Sequence, residues 1–457
     1  MRSKFPVRRL THWPLALALL PLSGCSEKPA DDLAKPEAPA ARVTTEKVEW
    51  NLGGVIGAKT EKTTSEPVYR PEVVTERADA APSPPPVQSG QVTAGDIDDL
   101  LNPATYAAYS SRFLQGAGKE LPFVDARRRV VIRVVDSAGK PVPFAAIQVD
   151  GAQAALHLVA AADGTASIFP GFDATAQQAK VTVASPAGSG VYAGPLRSSA
   201  PITVAVNGRA VRPSAMDLAL VVDTTGSMGD EMAYLLAELD SIVARLKRNA
   251  GEMDLRVSLV VYRDHGDDYL VQTTPLTHDV AAVRAALAAQ HADGGGDMPE
   301  AMDEALAAAA KLDWRPSAAK ALVLLTDAPP HDGDVAPAFE ATARLRSAGV
   351  QIVPVAASGV DDTAQYVLRA FAAVTQGRYI FLTDDSGIGE SHAEPDAACY
   401  LVTRLDGLMA RVLSGIATGQ RVEPRDDAII RRVGYYDKGQ CLRVQQATAQ
   451  ATKHTQS

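Results

Sequence analysis

No apolar run of about 18 residues follows the N-terminal segment of this 457-residue chain, so no later stretch is suited to span a bilayer. Positive charge is not in excess: the formal net charge is −9, which excludes nucleic acid as a natural partner. The H-E-x-x-H, G-x-S-x-G and G-x-x-x-x-G-K-[ST] patterns are all missing, and no nucleophile, base and orienting group can be assembled from the remaining residues. The chain therefore reads as a binding protein and not an enzyme. Cysteine is scarce, with three residues. What is present suits a globular core, with 46% apolar residues and room for two or three domains; proline is densest in the N-terminal part.

Residues 1–24 read as a targeting segment. Arg2, Lys4, Arg8 and Arg9 form a basic start, and Trp13 to Leu22 an apolar stretch too short to cross a membrane. It ends in Leu22-Ser23-Gly24-Cys25, which resembles the bacterial lipobox. That resemblance implies diacylglyceryl transfer to Cys25 and cleavage just before it. The chain would then be a lipoprotein of the cell envelope, anchored in the membrane by its acyl chains. Ser26 after the cysteine favours the outer over the inner membrane.

Residues 25–92 are rich in Pro, Ala, Glu, Lys and Thr, including Pro82-Ser83-Pro84-Pro85-Pro86. Such a composition buries too little apolar surface to offset its ordering entropy, and predicts a disordered, extended tether. Residues 93–126 predict a short helical or irregular segment, with Ile97, Leu100, Leu101 and Tyr109 at helical spacing. From 127 to 210 the chain alternates as short strands: Val130 to Val135, Phe144 to Val149, Ala166 to Phe169, Val181 to Val183 and Ile202 to Val206. Turn signals separate them, among them Gly139-Lys140-Pro141 and Asp163-Gly164. This pattern resembles the carboxypeptidase-regulatory-like or transthyretin-like β-sandwich, which implies a small all-β domain; its role reads as structural or as a spacer, with carbohydrate or protein binding as the alternative.

Residues 215–416 change character. Leu218 to Val222, Ala321 to Leu325, Ile352 to Ala356 and Tyr379 to Leu382 are continuous apolar runs, as expected of strands covered on both faces. Amphipathic helical patterns lie between them: Met232, Leu235, Leu236, Leu239, Ile242, Val243 and Leu246 on one, and Met302, Ala305, Leu306 and Ala309 on another. The alternation predicts a doubly wound, Rossmann-like α/β fold with a mostly parallel sheet. Ligand sites in such sheets lie beyond the C-terminal strand ends, where Asp223 and Asp327 fall.

After the first of these strands comes Asp223-Thr224-Thr225-Gly226-Ser227. In an extended turn alternate residues point one way, so one carboxylate and two hydroxyls converge. Oxygen-only donors suit Mg²⁺, with Mn²⁺ or Ca²⁺ as alternatives. The motif resembles the D-x-[ST]-x-S metal-ion-dependent adhesion site of von Willebrand factor A domains. Thr326-Asp327 matches that family's later Asp, and Gly294-Gly295-Gly296-Asp297-Met298-Pro299-Glu300 matches a variant of its third loop. Most relatives place a metal-facing Thr in this loop; here Asp297 is the first candidate, with Gly296 and Glu300 as alternative alignments. Asp297 also reads as a helix N-cap with Glu300 at capping-box spacing. The resemblance implies a metal set of Asp223, Thr225, Ser227, Asp297 and Asp327, and a protein partner that offers an exposed Asp or Glu to the metal, for adhesion or complex assembly. The alternatives are a subunit of a larger envelope machine and a structural envelope protein with an inactive site.

The loop Arg263-Asp264-His265-Gly266-Asp267-Asp268 reads as a solvated hairpin turn or a second cation site, and His331, Asp332 and Asp334 as a polar loop near Asp327. With Cys25 lipidated, Cys399 and Cys441 remain, and an oxidising envelope favours their pairing. Such a disulfide would staple the tail, 417–457, to a last helix around Leu401 to Leu413.

Overall fold

A computed structural model describes residues 88–117, 121–150, 154–197, 199–296, 298–387 and 391–442. The targeting segment, Cys25 and the tether through residue 87, together with Asp297 and residues 443–457, lie outside the described residues.

The first strand, β1 (Thr93–Ile97), is followed by helix α1 (Pro103–Gly116). Strand β1 is a correction, because residues 93–126 were expected to be helical or irregular. Seven short strands come next: β2 (Val130–Val135), β3 (Ala146–Val149), β4 (Leu156–Val159), β5 (Thr165–Ile168), β6 (Gln178–Ser185), β7 (Gly188–Pro195) and β8 (Ile202–Ala205). They form two sheets, ordered β5-β2-β8 and β4-β3-β6-β7. Alternate residues of each strand turn inward, so Val130, Ile132, Val134, Ile147, Val181 and Val204 share one apolar core.

The larger body contains β9 (Ala215–Asp223), α2 (Gly229–Ala250), β10 (Asp254–Tyr262), β11 (Val271–Thr277), α3 (Val280–Ala288), α4 (Met302–Ala310), β12 (Ala319–Thr326) and α5 (Val335–Ser347). It continues with β13 (Val350–Ala356), α6 (Asp362–Thr375), β14 (Tyr379–Thr383), β15 (Tyr400–Arg404), α7 (Leu405–Thr418), β16 (Arg431–Val433) and the hairpin β17 (Tyr436–Asp437) and β18 (Gln440–Cys441). The sheet order is β11-β10-β9-β12-β13-β14-β1-β15-β16, with β10, β9, β12, β13 and β14 mutually parallel. Both faces of the central strands are covered. Ala219 and Val221 of β9 and Leu322 and Leu324 of β12 pack with α1, α4, α5 and α6. Leu218, Leu220 and Val222, with Ala321, Val323 and Leu325, pack with α2, α3 and α7. This two-sided burial is why the strands read as unbroken apolar runs.

The sheet is wider than the sequence suggests. Strand β1 runs antiparallel between β14 and β15, and Thr93 pairs with Thr383. Residues just before it are held as well: the Glu238 carboxylate accepts hydrogen bonds from the Ser89 hydroxyl at 2.9 Å and the Gly90 N–H at 2.8 Å. The expected disordered tether therefore does not extend through residues 88–92. The stretch expected to open a helix near Leu401 is strand β15, and the helix starts only at Leu405. Within the expected tail, β16 pairs with β15 and a disulfide joins Cys441 to Cys399. Among the described residues no helix is long and apolar enough to cross a membrane.

Candidate functional site

The C-terminal ends of β9 and β12 and the turn after β13 meet at one edge of the sheet, where they build a pocket of about 340 Å³. Asp223, the last residue of β9, is fully buried. Its Oδ1 accepts the Thr225 N–H at 3.0 Å and the Thr225 hydroxyl at 2.7 Å, and its Oδ2 accepts the Thr326 hydroxyl at 3.0 Å. Thr224 turns the other way, its hydroxyl donating to the Tyr262 carbonyl at 2.8 Å. Thr225 and Ser227 line the pocket, so the alternation expected of this turn is realised. Asp327 lines it from the end of β12 and is 5% exposed, and its Oδ1 has no hydrogen-bond partner.

The three glycines close the opposite wall. Gly294 and Gly295 have φ of +80° and +77°, in the left-handed region where a side chain is strained. A Cβ on Gly294 would lie 2.4 Å from the Asp267 carboxylate, and one on Gly295 would lie 3.0 Å from Glu300 Oε1. The loop is tied on both sides: the Gly226 N–H donates to the Gly294 carbonyl at 3.2 Å, and the Gly295 N–H to Asp267 Oδ2 at 2.9 Å.

Glu300 enters the pocket behind these glycines. Its N–H donates to the Pro329 carbonyl at 3.0 Å; its side chain is 3% exposed, and Oε2 has no hydrogen-bond partner. Of the three alignments for this loop, Asp297 lies outside the described residues, Gly296 lines the pocket without a side chain, and Glu300 brings a carboxylate.

Crowding of acids sets the electrostatics. Burial, and then the charge of Asp327, push Asp223 up to about 6, against the hydrogen bonds from Thr225 and Thr326. Burial, with Asp223, Asp264, Asp327 and Asp267 adding to it, pushes Glu300 up to about 9. Asp327 is raised by burial, while the Ser227 hydroxyl bonded to it acts in the opposite direction.

The 263–268 loop is less solvated than its composition implies. Asp264 is buried, and its Oδ1 lies 2.7 Å from His331 Nε2, which joins this loop to the one after β12. The Asp264 N–H donates to Asp267 Oδ2 at 3.0 Å. The His265 and His331 rings lie 5.6 Å apart, and His265 stands 3.9 Å from Asp334. Sequence reasoning also passed over Glu231. This buried residue accepts the Ser358 N–H at 3.0 Å and the Ser358 hydroxyl, and so positions the turn carrying Gly359 at the pocket wall. The available signal was an acid four residues before Leu235, on the apolar stripe of α2.

A divalent cation suits this donor set. Asp327 Oδ1 and Glu300 Oε2 are buried acceptors without donors, and the two hydroxyls and the Asp223 carboxylate complete an all-oxygen environment. Among the described residues no three His, Cys, Asp or Glu side chains form a metal site by themselves. A cation here would therefore depend on the hydroxyl oxygens of Thr225 and Ser227 as well.

Comparison with known proteins agrees with the strand–motif order. Residues 217–392 match the family model of the von Willebrand factor type A domain, so the chain contains a domain of that type. An 88-residue stretch is 31% identical to a protein of Acanthamoeba polyphaga mimivirus described as an ariadne-like RING finger protein. That match covers 19% of this chain and 9% of the viral protein, so the chain spans about a tenth of that relative's length.

Proposed function

We propose that this chain is a lipid-anchored envelope protein whose von Willebrand factor A-type domain binds a divalent cation and captures a protein partner, in adhesion or in assembly of a complex, without catalysis. The observation that carries this reading is the convergence of Thr225, Ser227, Asp327 and Glu300 on one pocket, with Asp327 Oδ1 and Glu300 Oε2 buried and without a hydrogen-bond partner. Asp223, Thr225, Ser227 and Asp327 would hold the ion, with Glu300 in the position that most relatives give to Thr. Mg²⁺ fits the donors best, with Mn²⁺ or Ca²⁺ as alternatives. When bound, the ion supplies a Lewis-acidic position for an Asp or Glu of the partner. The chain's own residues do the rest: Thr326 and Thr225 fix the Asp223 carboxylate, the glycine loop brings the walls together, and Met298, 45% exposed at the pocket, offers apolar contact. Domains of this type are commonly involved in metal-dependent protein interaction, which supports the same reading.

The test is thermal melting of the chain with Mg²⁺, Mn²⁺, Ca²⁺ or chelator, beside capture of partners from the native envelope under the same conditions. A cation at a hundredfold excess over its dissociation constant should stabilise the domain by about 2.7 kcal/mol, and Asp223→Ala should abolish that gain while the fold survives. A wild-type chain with neither a metal-dependent shift nor direct metal binding would defeat the proposal.

A further inference from the structure

At the sheet edge opposite the metal pocket, a cleft of about 500 Å³ separates the β-sandwich from the α/β body. It is lined by Gln351 and Arg378, which sit at the N-terminal ends of β13 and β14, whereas the metal pocket lies beyond the C-terminal ends. The two sites are thus a strand length apart, roughly 20 Å.

Strand β2 explains the charge of this cleft. Val130, Ile132 and Val134 point into the sandwich core, so the alternate residues Arg129, Val131 and Arg133 face the cleft. The other two arginines lining it are neutralised: Arg378 lies 3.2 Å from Asp96, and Arg421 lies 2.8 Å from Asp98. Asp163 Oδ1 accepts the N–H and hydroxyl of its neighbour Thr165, at 2.9 and 2.7 Å. The guanidinium groups of Arg129 and Arg133 make no hydrogen bond or ion pair among the described residues; the Asp163 carboxylate in the same cleft offsets part of their charge and leaves positive charge in excess. Arg129 is half-buried, and burial draws its guanidinium below its ordinary value, with Asp98 and Asp163 opposing. A desolvated cation without a partner is unfavourable, and an anion in the cleft would relieve it.

We propose that this cleft binds a small phosphate monoester, of the size of a sugar phosphate, held by Arg129 and Arg133. A monoester is anionic at neutral pH and would give the two guanidinium groups the hydrogen-bond acceptors that they lack among the described residues. The guanidinium fork pairs with phosphoryl oxygens in a bidentate manner. The two arginines are rooted about 13 Å apart along the strand, a span two such long side chains can bridge from either side of one phosphoryl group. The volume falls within the range of small-molecule sites, roughly 300–1,000 Å³. The ester could belong to a soluble sugar phosphate or to a lipid headgroup.

The test is calorimetric titration of the full chain with glucose 6-phosphate, with glucose as the neutral control, in chelator and at physiological ionic strength. A second arm measures co-sedimentation with phosphatidylcholine vesicles with and without phosphatidic acid. Both arms compare the wild type with Arg129→Gln/Arg133→Gln and with Arg133→Gln alone, whose exposed position leaves packing intact. We expect binding of glucose 6-phosphate and not glucose, weakened by about tenfold or more in the double variant at an unchanged melting temperature. Arginine-dependent binding of phosphatidic acid vesicles alone would support the site with a lipid as its source. Absence of binding in both arms, or binding indifferent to the two substitutions, would overturn it.

Discussion

Glu300 decides much of the chemistry at the scale of single residues. Burial and the charges of Asp223, Asp264, Asp327 and Asp267 raise Glu300 to about 9, so at neutral pH the metal-free domain must take up a proton there that the unfolded chain does not hold, which costs stability. Glu300→Gln keeps the shape and removes the acid. The metal-free domain should then be stabilised, by about 1–3 kcal/mol, while affinity for the cation falls about tenfold or more. Urea denaturation in chelator and a Mg²⁺ titration read these two effects separately. If the variant bound the cation as tightly as the wild type, Glu300 would not be a ligand. At this scale the sequence exposes the Asp223-Thr224-Thr225-Gly226-Ser227 turn, because its donor spacing lies within five consecutive residues. It leaves Glu300 as one of three alignments, because the choice depends on which way a loop with three positive-φ glycines turns. Asp264 reads as solvated because its partner, His331, lies 67 positions away.

Elements divide in the same way. Strands β9, β12, β13 and β14 are legible because burial on both faces leaves continuous apolar runs. Strand β1 is not: Thr93-Ala94-Gly95-Asp96-Ile97 has two apolar side chains, and its Gly95 is needed because a Cβ there would lie 2.4 Å from the Phe381 ring. Strand β15 merges in sequence with the apolar stripe of α7, so the two read as one helix. Strand β12 also carries a buried cation near its start. Lys320 is 3% exposed, with its Nζ 3.3 Å from the Ala318 carbonyl and 5.7 Å from the centre of the Phe144 ring. Burial lowers its pKa from 10.5 to about 8, with Asp217 opposing. Between these values the unfolded chain binds more protons than the folded one, so this residue's contribution makes stability rise with pH from about 8 to 10.5. Below pH 8 the buried ammonium remains as a constant penalty. Lys320→Met should therefore stabilise the protein at pH 7, by about 1–3 kcal/mol, and the gain should shrink as pH rises through 9 and 10. Urea denaturation of both proteins across that range checks it. A difference that stays constant with pH would show that Lys320 is not the group responsible.

For the whole molecule, the proposed cation pocket and the proposed lipid anchor lie in different parts of the chain. Thr93 pairs with Thr383 at the C-terminal end of β14, so the chain preceding β1 leaves the sheet at the edge that carries the pocket lined by Thr225, Ser227 and Asp327. The Glu238 carboxylate grips that exit at Ser89 and Gly90. The residues from Cys25 to Gln88 could reach at most about 230 Å if fully extended. Acylation at Cys25 would thus set how far the pocket can range from the bilayer without contributing to the pocket itself. Cys25→Ala should release the protein from the membrane fraction or leave it unprocessed, and should abolish labelling with palmitate. The purified variant should retain the full metal-dependent thermal shift, since none of Asp223, Thr225, Ser227, Asp327 and Glu300 depends on the N-terminal segment for its position. Fractionation, palmitate labelling and melting on the same preparation separate the two roles. Continued labelling and membrane association would remove Cys25 as the anchor and leave the metal site untouched. Loss of the thermal shift together with release would show that anchor and pocket are coupled, against the independence argued from the strand order.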